Sequence, residues 1–118
     1  MKIEVRARVI RDTRGDKTIE ITLITNFGVF YASAPNGKSR GRFEKPVWKK
    51  SIENDIKAVN GIFGEIEFDR FEDLKNIEKK FENKIGGNTM IALEYCFLKA
   101  LAKKQKKQVW QIINPNAR

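Results

Sequence analysis

Ile3-Glu4-Val5-Arg6-Ala7-Arg8-Val9-Ile10, then Asp12-Thr13-Arg14-Gly15-Asp16, then Thr18-Ile19-Glu20-Ile21-Thr22-Leu23-Ile24-Thr25: the reading of this opening stretch decides the fold. In its first part Ile3, Val5, Ala7 and Val9 alternate with Glu4, Arg6 and Arg8, the two-residue period of a strand with one face in a core. The middle part is dense in residues that favour turns. The last part is β-branched at nearly every position and sets Ile19, Ile21 and Leu23 on one face. Two strands joined by so short a link pair antiparallel.

Outward from this hairpin, Asn26-Phe27-Gly28 reads as a tight connection into a third strand, Val29 to Ser33. Ala34 to Pro46 then changes character: Ala34-Pro35-Asn36-Gly37-Lys38-Ser39-Arg40-Gly41 is a loop by composition. A loop of this length inside a compact domain tends to carry function. The remainder is helical. Trp48, Ile52, Ile56, Val59 and Phe63 recur at spacings of three or four, as do Phe71, Leu74, Ile77 and Phe81, with Asp69 as the expected cap of the second helix. After Ile85-Gly86-Gly87, Asn88 is the expected cap of a long helix running to about Lys104. Its apolar residues cover most of its circumference, which predicts a central buried helix. A last short helix is expected from Gln108 to Ile113, stopped by Pro115. The fold class is α+β: a three-stranded antiparallel meander followed by about four helices, in one domain over residues 1–118.

Composition narrows the chemistry. The chain has no histidine, so most zinc-site patterns and the commonest general base are excluded. Its one cysteine, Cys96, cannot form a disulfide within the chain and sits in an apolar run, where it reads as a small buried hydrophobe. No apolar run approaches the ~20 residues that span a bilayer, and the charged start lacks a secretory signal, so no membrane and a cytoplasmic setting are expected. The net charge of +9 is unevenly spread: +7 in residues 1–50, −3 in 51–100 and +5 in the last eighteen. Glu65, Glu67, Asp69, Glu72 and Asp73 read as a solvated approach to a helix rather than a metal cluster.

Three segments together resemble enolase. Ala7-Arg8-Val9-Ile10-Arg11-Asp12-Thr13-Arg14-Gly15-Asp16-Lys17-Thr18-Ile19-Glu20 is similar to the family's opening, A-R-x-x-x-D-S-R-G-N-P-T-V-E. Ala34-Pro35-Asn36-Gly37-Lys38-Ser39-Arg40-Gly41, with Glu44, is similar to its mobile loop, V-P-S-G-A-S-T-G-x-x-E. Ile85-Gly86-Gly87-Asn88-Thr89-Met90-Ile91-Ala92-Leu93 is similar to L-G-A-N-A-I-L-G-V. The resemblance implies the fold of the enolase amino-terminal domain. It implies that Arg8 and Glu20 lie toward a partner's barrel, and that Ser39 reaches a substrate-dependent Mg²⁺. It also implies that the catalytic lysines, acid groups and metal carboxylates belong to a barrel domain outside these residues. The end, Ile113-Asn114-Pro115-Asn116-Ala117-Arg118, resembles the connection into that barrel.

The loop departs from the family at Asn36, Lys38, Arg40 and Phe43, which follows Arg42, and the stretch from Glu44 to Ile52 is shorter. Added positive charge beside a Mg²⁺ position opposes cation binding. The expectation is an enolase-like protein standing without its barrel and not catalytic on its own, with no cofactor unless Ser39 still ligates Mg²⁺. Three functional readings follow. The first is binding of RNA or a ribonucleoprotein such as the ribosome. It would use Arg11, Arg14 and Lys17 by the first turn, Lys38, Arg40, Arg42, Lys49 and Lys50 around the loop, and Lys103, Lys104, Lys106 and Lys107. Trp48 and Trp110 could stack bases, but their apolar spacing places them in the core. The second reading is one part of an enolase working with a separate barrel in the dehydration of 2-phosphoglycerate. The third is a protein-interaction module using a sheet edge or the surface that an enolase would bury against its barrel.

Overall fold

A computed structural model describes residues 1–34, 48 and 50–113. The opening hairpin forms as its alternation requires. Strand β1 (Lys2–Arg11) pairs antiparallel with β2 (Lys17–Thr25) in an unbroken register from Ile3 opposite Thr25 to Arg11 opposite Lys17. The turn between them is built by Asp12, whose Oδ1 accepts the backbone N–H groups of Arg14 and Asp16, both at 2.9 Å. Gly15 supplies the positive φ of 85° that closes it. Strand β3 (Gly28–Ser33) pairs antiparallel with β2 on its other side. The Thr25 hydroxyl shapes that connection, accepting from the Phe27 N–H and donating to the Gly28 carbonyl.

The sheet holds one strand more than the three-stranded meander read from sequence. Helix α1 (Ile52–Val59) is capped at its start by the Ser51 hydroxyl, which accepts the Asn54 N–H at 3.0 Å. It stops at Asn60, and Gly61 turns the chain with φ of 88°. Phe63 therefore does not continue the helix. It opens β4 (Phe63–Glu65), which pairs antiparallel with the first residues of β1 and gives the strand order β3-β2-β1-β4. Phe63 is 81% exposed, the reverse of the core position its spacing suggested.

A 3₁₀ turn (Phe71–Asp73) leads into α2 (Leu74–Phe81). Asp69 does not cap this entry. Its own N–H donates to Asp73 Oδ2 at 2.8 Å, while its carboxylate pairs with Lys104. Helix α3 (Gly87–Gln105) runs under the sheet, and α4 (Val109–Ile113) follows it. Asn88 lies inside the first turn of α3 instead of capping it, and the N-cap residue, Gly86, has no side chain to offer. The capping acceptor comes from α1: Asp55 Oδ2 accepts the Gly86 N–H at 3.0 Å and the Thr89 hydroxyl at 2.5 Å. At the other end Lys106, in the left-handed region at φ 58°, turns the chain, and the Lys107 N–H returns to the Ala102 carbonyl at 2.8 Å.

The core lies between one face of the sheet and α3. Val5, Ile19, Ile21 and Leu23 from the strands and Leu93, Cys96, Phe97 and Leu101 from the helix are fully buried. Phe68 closes the layer with its ring 5.2 Å from that of Phe97. Cys96 is free and buried as its apolar setting predicted, and burial pushes its thiol pKa up to about 12. Helix α3 is not enclosed all round, however. Ile91 and Tyr95 are about half exposed, because the helix is covered by the sheet on one side only at that point.

Candidate functional site

Strand parity puts the second set of β1 and β2 side chains on the opposite face, away from α3. Three rows cross it. Arg8 lies opposite Glu20, and Glu20 opposite Ser33; Arg6 lies opposite Thr22, and Thr22 opposite Tyr31. Glu4 lies opposite both Ile24 and Phe63, with Val29 beyond Ile24. Charges are paired across this face. Arg8 Nε stands 2.8 Å from Glu20 Oε1, and Arg6 pairs with Glu4 two residues back on its own strand. The Arg8 side chain is 72% exposed and that of Glu20 21% exposed. Around these pairs lie partly or largely exposed apolar groups: Val29, Tyr31 and Phe63. Toward β4 the surface opens into a groove of about 790 Å³ bordered by Lys2, Glu4, Arg6, Phe63 and Glu65.

Among the described residues the expected basic side chains fall into separate groups. Arg11 and Lys17 sit opposite each other where β1 meets β2, beside Arg14 in the turn. Arg11 donates to the Gly15 carbonyl at 2.7 Å. Lys103 and Lys104 occupy the last turn of α3, with Lys106 and Lys107 just after it. Lys104 stands over the ring of Phe27, in the β2–β3 connection, at 5.5 Å. That connection lies at the far end of β2 from the first turn, and nine residues of strand span roughly 30 Å. The two basic groups therefore occupy opposite ends of the sheet. Lys104 is also committed to Asp69, and its hydrogen bond and charge hold the Asp69 carboxyl below the usual carboxylate range. Lys50 is exposed ahead of α1. Lys38, Ser39, Arg40, Arg42 and Lys49 lie outside the described residues.

The two tryptophans part company. Trp48 is half-buried and packs against the core, as its spacing predicted. Trp110 is 49% exposed, because the short α4 turns Ile112 inward and leaves its neighbour out. Among the described residues no three Cys, Asp or Glu side chains gather to hold a metal ion, and no helix is long and apolar enough to cross a membrane. Two residues that matter were missed by sequence reading. Asp55 breaks the apolar stripe Ile52-Asp55-Ile56-Val59 of α1, and a carboxyl in such a stripe was the available signal. Lys99 shares the inner stretch of α3 only with Glu94 as a charged residue.

The order of elements, the Asp12 turn with its Gly and the buried helix opened by Gly86-Gly87-Asn88 agree with the first and third motifs; the loop motif lies outside the described residues. Comparison with curated proteins gives the same answer. The chain is 32% identical over 123 residues to "Cytosolic enolase 3" of Arabidopsis thaliana, a match that takes in 87% of this chain. It is 28% identical over 123 residues to "Enolase" of Methanothermobacter thermautotrophicus, taking in 96% of this chain. The chain is enolase-like. Its similarity is to an amino-terminal-domain-like portion: it spans 26% of the length of the first relative and 30% of the second. Both matched stretches run to 123 positions against parts of a 118-residue chain, so the relatives carry residues that this enolase-like chain omits. No protein-family model matches the chain.

Proposed function

We propose that this chain is a docking domain of the enolase kind, which meets an enolase-type barrel through the outer face of its sheet and does not turn over substrate by itself. The observation that carries this reading is the Arg8–Glu20 pair, held in register across β1 and β2 on an exposed face. An exposed ion pair contributes only about 0–1 kcal/mol to a fold. The same two charges, desolvated against a complementary surface, fix orientation and reject wrong partners. Val29, Tyr31 and Phe63 around them supply apolar area that the fold itself leaves unused. In this reading the groups for 2-phosphoglycerate dehydration come from the barrel, whether joined to this chain or separate. Mg²⁺ enters only through Ser39, whose match is to the family's loop motif. The setting is the cytoplasm, in keeping with the printed name of the Arabidopsis relative.

Sedimentation of the protein with an enolase barrel polypeptide, its fold checked by circular dichroism, tests the reading. A one-to-one complex that Arg8→Glu weakens by roughly tenfold or more is the expected result. A folded barrel that leaves the chain free in solution would overturn it.

A second reading, RNA binding, is favoured by the exposure of Trp110 next to Lys106 and Lys107, since a basic segment with a free aromatic face can stack a base. Its residues would be those of the α3–α4 end, without the distant Arg11, Arg14 and Lys17. Quenching of Trp110 fluorescence by single-stranded RNA, lost steeply as salt rises and absent in Trp110→Phe, is the expected signature. Unchanged emission at micromolar protein and low salt would dismiss it.

A further inference from the structure

Among the described residues strand β3 forms one edge of the sheet. Ala34 donates to the Ile19 carbonyl, which makes Ala34 and Ile19 a hydrogen-bonded pair and fixes the alternation along β3. Ala32, Phe30 and Gly28 then bond to β2, while Val29, Tyr31 and Ser33 turn their backbone N–H and C=O groups away from the sheet. Among the described residues one of those outward groups has a partner: the Tyr31 carbonyl accepts from Lys99 Nζ at 2.6 Å. The lysine crosses from α3 to do this, and its ammonium stands 4.9 Å from the centre of the Tyr95 ring. Ile91, Tyr95, Val29 and Tyr31, all between 44% and 54% exposed, lie on the same two elements.

This edge is self-complementary. Its three outward residues are symmetric about Tyr31, so a second copy approaching antiparallel would set Tyr31 against Tyr31 and Val29 against Ser33. Both would be hydrogen-bonded pairs, with the half-exposed Val29 and Tyr31 side chains on the outer face of the strand and Ile91 and Tyr95 on the α3 side. The two-fold axis would pass through the residue that Lys99 occupies, and each copy would bring its own ammonium there. We propose that Lys99 is an edge guard: it caps β3 at its centre and prevents the sheet from pairing with a second copy of the chain. A lysine on an exposed edge acts against pairing in two ways, by occupying an acceptor and by like-charge repulsion across the axis. Val29 and Tyr31 also belong to the outer face proposed to meet a barrel, but self-association is read with no barrel present, so the two readings fail separately.

The test is the self-association of the full natural chain by sedimentation velocity, with circular dichroism to establish that each variant is folded. Lys99→Met keeps the length and helix preference of the side chain and removes the charge and the hydrogen bond. It should strengthen self-association by roughly tenfold or more. Lys99→Arg should behave as the parent does. Adding Tyr31→Lys to Lys99→Met puts a charge back at the axis, on a residue already half exposed, and should reverse the gain. A folded Lys99→Met chain that associates no more than the parent would overturn the proposal. So would a gain in association that Tyr31→Lys leaves untouched, because the new contact would then lie elsewhere.

Discussion

The two faces of the sheet carry the same kind of alternation and use it for opposite ends. On the inner face Val5, Ile21 and Leu23 lie across neighbouring strands with no exposure, sealed by Leu93, Phe97 and Leu101. On the outer face their neighbours Arg6, Arg8, Glu20 and Tyr31 meet solvent and one another. The difference teaches that stability and recognition are separable in this molecule. The inner face holds the fold, and the outer face is occupied by side chains the fold can do without.

The largest break in that contrast comes from the inner face. Phe97→Ala, which empties a fully buried site against Phe68, should cost about 3–5 kcal/mol in urea unfolding. Asp55→Ala should cost about 1–3 kcal/mol, because the Gly86 N–H and the Thr89 hydroxyl lose their buried acceptor. Thermal melts of Asp55→Ala beside Thr89→Val, which removes one of those donors, would show whether the two effects overlap as a shared contact requires.

These two predictions also mark how far the sequence reading reached. The three long strands were legible because the periods of Ile3-Val5-Ala7-Val9 and Ile19-Ile21-Leu23 are uninterrupted. Strand β4 was not, because three residues carry no period and Phe63 happens to continue the spacing of α1; the stop signal was Asn60-Gly61. Asp55 was missed although it is a misfit in an apolar stripe, and its target in Gly86 and Thr89, more than thirty residues away, carries no local signal. Of the candidate site, Arg8 and Glu20 were named from the motif they match, but their pairing with each other depends on register. The division of the basic residues between two ends of the sheet depends on the direction of α3, which no local pattern encodes.

A smaller effect sharpens the inner face through pH. The Cys96 thiol is held protonated in the fold up to about pH 12, above its ordinary value of 9.0. The unfolded chain releases this proton first as pH rises, so stability is fully present below about pH 9 and declines from there toward 12. Cys96→Ala should lack that component of alkaline destabilisation. Alkylation of the native protein by iodoacetamide should be slow throughout, because access requires opening of the core. The smallest effect belongs to the outer face: Arg8→Ala should change stability by less than about 1 kcal/mol.

That near-silence in the fold is what makes Arg8 and Glu20 useful in the most direct test of the docking account. The affinity of the chain for an enolase barrel polypeptide should be measured by sedimentation for the parent, Arg8→Glu, Glu20→Lys and the double exchange, each with its unfolding curve. The account expects single exchanges that lose roughly tenfold or more in affinity while unfolding within about 1 kcal/mol of the parent. Affinities that follow stability, or that ignore both charges, would contradict it.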